Sequence, residues 1–102
     1  MFEIILAATI AKGDFVVDVQ NARLERTRAE AVFRVTNNTP TSYQRVFVKC
    51  VFFDAKGAAL QIGPAIVSNL RAGEAGQGSA AVILSPGESP KTVTCDVDQV
   101  TP

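Results

Sequence analysis

The chain has 102 residues, of which 47% are hydrophobic and 20% charged, a composition that predicts a globular domain with one ordinary core. Ten basic and ten acidic residues cancel, so no strong net field would attract nucleic acid or an anionic membrane. Histidine is absent, which removes the commonest general base, the commonest metal ligand and hydrolase chemistry of the Ser-His-Asp type. We therefore expect residues 1–102 to form one domain with no catalytic residue, metal site or cofactor.

The N-terminal stretch MFEIILAATIAKG contains an apolar run from Ile4 to Ala11. A membrane-spanning helix needs about 20 apolar residues, so this run is too short to span a bilayer. It also makes a poor secretory signal, because Glu3 precedes the run and no Lys or Arg does. Thr9 and Ala11 are nevertheless small enough for a cleavage site. Two interpretations of residues 1–12 stay open, an extra N-terminal strand or a remnant signal-like segment.

Short segments of alternating apolar and polar residues follow, which is the pattern of an antiparallel sandwich. Strands are predicted over residues 15–20, 30–36, 44–53, 59–62, 65–70, 79–84 and 92–98. Turn-forming residues predict breaks at 36–42, 54–57, 63–64, 71–78 and 85–90. The stretch ARLERTRAEAVF (22–33) lacks a helical apolar period, so we expect strand, turn and strand there. The prediction is an all-β, Ig-like antiparallel β-sandwich of about seven strands.

Both cysteines of the chain lie among residues expected to face the core. Cys50 shares its face of strand 44–53 with apolar residues, and Cys95 does so in TVTCDVDQV. Two inward-facing cysteines on separate strands suit a disulfide, which would contribute about 4 kcal/mol in the chain-entropy model. The alternative is two buried free thiols that act as small hydrophobic side chains. A Cys50–Cys95 disulfide would place the protein in the periplasm, in the secreted fraction or on the cell surface.

Three stretches of the sequence resemble FxLYD-type bacterial Ig-like domains: VTNNT (35–39), VFVKCVFFDAKGAAL (46–60) and LRAGEAGQGSAAV (70–82). Those domains carry an N-x-(S/T) break, a strand that ends in F-x-L-Y-D, a Gly turn and an L-x-P-G-E loop. Here Cys50 stands in the Phe place, Phe53 in the Tyr place and Ala72 where proline is usual. The resemblance covers roughly residues 22–98. It implies a secreted or membrane-attached accessory domain with no catalytic residues.

The remaining polar groups favour solvated surface over chemistry. Asp96 and Asp98 share a face of their strand, but Ca²⁺ takes about six to eight oxygen ligands. The motif Asn37-Asn38-Thr39 fits a glycosylation sequon, although Pro40 follows it and a turn is the favoured interpretation. A mild basic cluster is interleaved with Glu25 and Glu30, which is typical of a solvated face and not of a nucleic-acid site: Arg23, Arg26, Arg28 and Arg34.

One feature of strand 44–53 predicts a partner. Phe47, Val51 and Phe53 lie on its outer face, where a sandwich normally carries polar residues. Exposed apolar patches of this kind mark interaction surfaces. We expect the N-terminal strand of the same chain to cover this patch, ahead of exchange of that strand between two copies and ahead of a foreign protein.

The sequence therefore predicts a non-enzymatic, extracytoplasmic accessory or protein–protein interaction module. The alternative is a structural subunit of a larger assembly, such as a surface fibre or a phage particle, that is held by strand exchange. Both interpretations expect a protein partner or self-association, and neither expects nucleic acid or a membrane span.

Overall fold

The computed structural model describes residues 2–4, 6–12 and 14–102, with side chains from residue 14 onward. Eight strands follow one another along the chain: β1 (Phe2–Ile4), β2 (Leu6–Lys12), β3 (Phe15–Glu25), β4 (Arg28–Asn37), β5 (Tyr43–Phe53), β6 (Ala59–Leu70), β7 (Ala75–Ile83) and β8 (Thr92–Thr101). These ranges contain no helix, which confirms the all-β prediction. Within them, accordingly, no helix is long and apolar enough to cross a membrane.

The six long strands form two antiparallel sheets that share one core. β4 lies between β3 and β7 in the first sheet, and β5 lies between β6 and β8 in the second; we call them the β4 sheet and the β5 sheet. Every second residue of a strand points to the same face, so the apolar positions of each sheet face the other sheet. The fully buried apolar residues of the two central strands are Ala29, Ala31, Phe33, Val35, Val46, Val48, Cys50 and Phe52.

β2 joins the two sheets along one side of this sandwich-like arrangement. Residues 6–8 pair in parallel with residues 92–94 of β8. Residues 9–12 then pair antiparallel with residues 15–18 of β3, and β1 pairs with the far end of β3. The backbone of the N-terminal segment therefore lies at the side of the molecule, where it supplies a neighbour to both sheets.

On the opposite side, β6 and β7 come close together because glycines of β7 face the core. A Cβ atom at Gly78 would lie 2.6 Å from Cζ of Phe33, and one at Gly76 would lie 2.8 Å from Cγ1 of Val67. Real Cβ atoms do not approach other atoms this closely. The large Phe33 ring therefore fits between the sheets only because β7 carries no side chain at Gly78.

The stretch 22–33 forms strand, turn and strand, as predicted. β3 continues to Glu25 and β4 begins at Arg28. Arg26 adopts a φ of 57°, in the left-handed region, and this conformation helps residues 26–27 to reverse the chain.

Two predicted boundaries, and with them the strand count, differ from the structure. Gly63 and Pro64 were expected to break a strand, but β6 runs through them as one strand of 12 residues. Proline is tolerated there because β6 is an edge strand, and Gly63 is buried against Val82. β7 begins at Ala75, inside the expected loop 71–78, because its glycines serve packing and not a turn.

We predict that Gly78→Ala lowers the free energy of unfolding by about 1–3 kcal/mol, because the new methyl group overlaps the Phe33 ring and forces the core to shift. Urea unfolding followed by circular dichroism measures this loss. The matched control is Ser79→Ala on the same strand, whose side chain is exposed and whose substitution should change stability by less than about 0.5 kcal/mol. Equal unfolding midpoints for the two variants would contradict the close approach.

Candidate functional site

The two cysteines form a disulfide within the β5 sheet. Cys50 and Cys95 lie directly opposite each other on β5 and β8, with Cα atoms 4.0 Å apart, and both residues are fully buried. The bridge spans 45 positions of the sequence. Both thiols are therefore consumed in a structural bond inside the core, and neither is a candidate nucleophile.

An apolar surface covers the solvent side of β5 and β6. We call it the outer apolar face, and it comprises Phe47, Val51, Phe53, Ile62, Pro64 and Ile66. Ile62 and Ile66 are 56% and 54% exposed, while the β5 members are half-buried. Ile62 lies opposite Val51 and Ile66 lies opposite Phe47, so the two strands form continuous apolar rows.

Sequence reasoning identified the β5 half of this face and missed the β6 half. Ile62 and Ile66 fell on either side of the break that was expected at residues 63–64. The available signal was the alternation of residues 62, 64 and 66 with Gly63, Ala65 and Val67. That alternation holds only if the strand continues through Pro64, which an edge position permits.

The described backbone of the N-terminal segment lies away from the outer apolar face. Its described backbone pairs with β3 and β8 at the side of the molecule and does not cross β5 or β6. More than half of the Ile62 and Ile66 surface stays open to solvent. The expectation that this segment covers the patch within one chain concerns side chains that lie outside the described residues, and the described backbone does not support it.

Basic residues interrupt the outer apolar face along β5. Arg45 and Lys49 alternate with Phe47 and Val51 on the same side of the strand, and both are exposed. Asp96 of β8 lies opposite Lys49 in the ladder. On β5 and β6 the charges of this surface are thus positive, with carboxylates confined to the neighbouring strand.

The carboxylates of β8 are Asp96 and Asp98. Asp98 is the extra residue of a bulge, because Phe47 pairs with Gln99 while Val48 pairs with Val97. Among the described residues, no group of three or more Cys, Asp or Glu side chains is placed to hold a metal ion.

Two arginines of the basic cluster, Arg23 on β3 and Arg28 on β4, form ion pairs with Glu30. Glu30 accepts from Arg23 Nη2 at 3.5 Å and from Arg28 Nη2 at 3.3 Å. Both arginines are about half exposed, with side-chain exposures of 50% and 54%. This arrangement fits the solvated face that the sequence predicted.

Asn37, the first residue of the sequon, is completely buried. Its Nδ2 donates to the carbonyl oxygens of Thr41, Leu70 and Arg71 at 2.9, 3.3 and 3.2 Å. Its Oδ1 accepts from the backbone N–H and the hydroxyl of Thr39 at 3.0 and 2.6 Å. The nitrogen that would carry a glycan is therefore enclosed and occupied, and the turn interpretation fits the geometry.

Two clefts of the described surface are open to solvent. One, of about 330 Å³, lies near the end of β6 and is lined by Ser42, Tyr43, Gln44, Asn69 and Arg71. The other, of about 300 Å³, lies between the β5–β6 turn and the β7–β8 loop and includes Lys56, Glu88 and Lys91.

Glu88 in the second cleft serves the loop that holds it. Its Oε1 accepts from Gln61 Nε2 at 3.0 Å and from the Ser85 backbone N–H at 2.6 Å. These bonds favour the carboxylate, chiefly through Gln61, and lower the pKa of Glu88 below its usual value. Since the folded pKa is the lower one, the stability that Glu88 contributes is present at neutral pH and is lost as the pH falls through that value.

No protein-family model matches the chain, and no curated protein matches it. A solved structure is similar, the crystal structure of a DUF1425 family member from Shewanella sp. pv-4. The two chains are 18% identical, the likeness covers 95% of each, and the TM-score is 0.55. At this identity the likeness shows the fold alone, that of a small bacterial β-domain.

We predict that Asn37→Ala lowers the free energy of unfolding by about 2–4 kcal/mol, because three carbonyl groups at two connections would lose a buried donor at once. Chemical denaturation measures the loss. Asn38→Ala is the matched control, since Asn38 is exposed and its backbone N–H still reaches the Asp14 carbonyl. Equal stability of the two variants would show that Asn37 does not anchor these connections.

Proposed function

We propose that this protein is a non-enzymatic binding module that docks another protein on its outer apolar face. The observation that carries the proposal is the exposure of Ile62 and Ile66, each above one half, on a regular sheet beside Phe47 and Val51. On a sheet face that is in contact with water, the outward positions of each strand are normally polar. A contiguous apolar patch of this kind is typical of a protein–protein contact.

The charges of the face define the chemistry of the partner. Arg45 and Lys49 stand within the apolar rows, so a complementary surface presents apolar side chains with carboxylates between them. A second copy that placed its own β5 on this face would bring like charges together, which is unfavourable. We therefore assign the face to a different protein with an acidic and apolar surface.

The strand order supports an Ig-like topology for the module. β3, β4 and β7 follow the order of strands A, B and E, and β6, β5 and β8 follow the order of C′, C and F. The first half of β2 lies beside β8, where strand G would stand, but runs parallel to it. The disulfide links neighbouring strands of one sheet and not strands B and F of facing sheets, so membership among FxLYD-type domains rests on the sequence resemblance.

The buried disulfide supports an extracytoplasmic location, because such bonds form and persist in the periplasm, at the cell surface or outside the cell. We propose that the protein works in one of these compartments as an accessory domain. The absence of histidine supports a role without catalysis.

A photo-reactive benzoylphenylalanine in place of Phe47 tests the binding face in the native host. We expect light to give one discrete adduct, whose partner peptide carries Asp or Glu beside apolar residues. The charge reversal Lys49→Glu should lower its yield roughly ten-fold or more, because it places like charges together in a desolvated contact. The matched control carries the same probe in place of Asn21, which is exposed on the other sheet.

Two results would contradict the assignment. One is the absence of an adduct at Phe47, or an equal adduct at Asn21. The other is an adduct with twice the 10.8 kDa mass of the chain, since that product would be a second copy and not a different protein.

The mass of the protein purified from its native host without reductant tests the compartment. We expect the mass to increase by two hydrogen atoms on denaturation and reduction, because the Cys50–Cys95 bond is already formed in the cell. Recovery of a chain whose thiols are already reduced would place the protein in a reducing compartment and contradict the proposed location.

A further inference from the structure

The cleft near the end of β6 is lined by side chains that can all donate hydrogen bonds. It has a volume of about 330 Å³, and its lining consists of Ser42, Tyr43, Gln44, Asn69 and Arg71. One guanidinium, two carboxamides and two hydroxyls supply N–H and O–H groups there, and none of the five residues is acidic. The cleft is therefore rich in donors and carries one positive charge.

The charge of Arg71 has no counterpart in the described part of the chain. Arg71 is exposed, and no described carboxylate forms an ion pair with its guanidinium. Glu74 lies three positions further on, but its Oε1 accepts from the backbone N–H of Arg71, at 3.2 Å. A guanidinium presents paired, coplanar N–H groups that match the two oxygens of a carboxylate. A single carboxylate would therefore complete this cleft in both charge and geometry.

The backbone of Arg71 and the hydroxyl of Ser42 are fixed by contacts that leave their donors available. Asn37 Nδ2 donates to the Arg71 carbonyl oxygen at 3.2 Å, which anchors the backbone from which the guanidinium extends. Ser42 Oγ accepts from the backbone N–H of Ala72 at 3.2 Å. Because this oxygen acts as the acceptor, the hydroxyl hydrogen can still be donated to a ligand.

The backbone at Asn69 departs from regular strand geometry at the point where it meets the cleft. Strict alternation would place Asn69 in the core, two positions after the buried Val67. Asn69 instead has a φ of 55°, in the left-handed region, so that Leu70 enters the core and Asn69 is exposed. Uncommon backbone conformations of this kind cluster at binding sites. Across the cleft, the Tyr43 ring is held by the ring of Phe15, with centroids 5.7 Å apart.

We propose that this cleft binds a carboxylate group, with Arg71 as its charged partner and with Ser42 and Asn69 as further donors. One guanidinium balances the single charge of a carboxylate, whereas a phosphate group at neutral pH carries a charge closer to two. The volume lies at the lower end of the range of ligand sites, so the cleft suits a small acid or the end of a longer molecule. A free organic acid and the C-terminus of a polypeptide share this chemistry, and they differ in the amide that precedes the carboxylate.

Titration of the isotope-labelled chain, followed by NMR of its backbone amides, tests the site with acetate, N-acetylglycine and N-acetylglycinamide. N-acetylglycine ends in an amide and a carboxylate, as a C-terminus does, and N-acetylglycinamide is its neutral counterpart. We expect N-acetylglycine to give saturable shifts at the amides of Ser42, Asn69 and Ala72, and N-acetylglycinamide to give none. Tighter binding of N-acetylglycine than of acetate would identify the end of a polypeptide as the ligand, and equal affinities would identify a free acid.

Substitution of the guanidinium separates recognition from general attraction by positive charge. Arg71→Gln should weaken N-acetylglycine roughly ten-fold or more, because the charge and the paired donors are lost while the backbone bonds of Arg71 stay in place. Arg71→Lys keeps the charge without the paired donors and should fall between the parent and Arg71→Gln. The matched control is Arg45→Gln, which removes the same charge from β5 outside the lining and should change the affinity less than about two-fold.

The inference fails if neither carboxylate gives saturable shifts, or if N-acetylglycinamide shifts the same amides equally. Equal weakening by Arg71→Gln and Arg45→Gln would also overturn it, as would tighter binding of inorganic phosphate than of either carboxylate. Thermal unfolding of each variant shows that the fold is kept. No residue of the outer apolar face lines the cleft, so these outcomes leave the proposed protein contact to its own test.

Discussion

The buried amide of Asn37 is the interaction on which the registers of both sheets depend. Its side chain holds the carbonyl groups of Leu70 and Arg71 at the end of β6, and that of Thr41 just before β5. Its backbone N–H and C=O meanwhile bond to Glu74 and Gly73. The chain crosses between the sheets twice at this end, so one residue fixes where β5 begins and where β7 begins. A buried amide left without these partners would be costly, which makes the arrangement close to all-or-none.

Register decides which residues face the solvent, because a shift by one residue moves every side chain of a strand to the other face. With β5 anchored at Tyr43, Val46 and Val48 enter the core while Phe47 is left on the outer side. With Glu74 bonded to Asn37, Gly76 and Gly78 of β7 are left facing the core. The outer apolar face and the close packing of β6 against β7 therefore follow from the same end of the molecule.

Much of the fold could be predicted from period-two alternation, and the failures share one cause. β5 and β8 lie within a few residues of their predicted bounds, since their inward positions are apolar without interruption. The strands predicted in the regions of β6 and β7 were too short, because Gly63, Pro64 and Gly78 were interpreted as strand breaks. In the structure the glycines make room for Val82 and Phe33, and the proline lies at an edge. Those reasons depend on residues far away in the sequence, which local propensity does not contain.

The same limit applies to the surfaces. Phe47, Val51 and Phe53 could be identified because they alternate within one strand, whereas Ile62 and Ile66 depend on the continuity of β6 through Pro64. The role of Asn37 was harder still to predict from the sequence, because two of its acceptors lie more than 30 positions away. The disulfide was predictable because each cysteine follows the alternation of its own strand.

The position of the disulfide has a consequence for binding, since Cys50 joins β5 to β8 directly beneath Lys49 and Val51. A face held in this way loses little conformational freedom on association, so the affinity for a complementary surface is not diminished by ordering the strand itself.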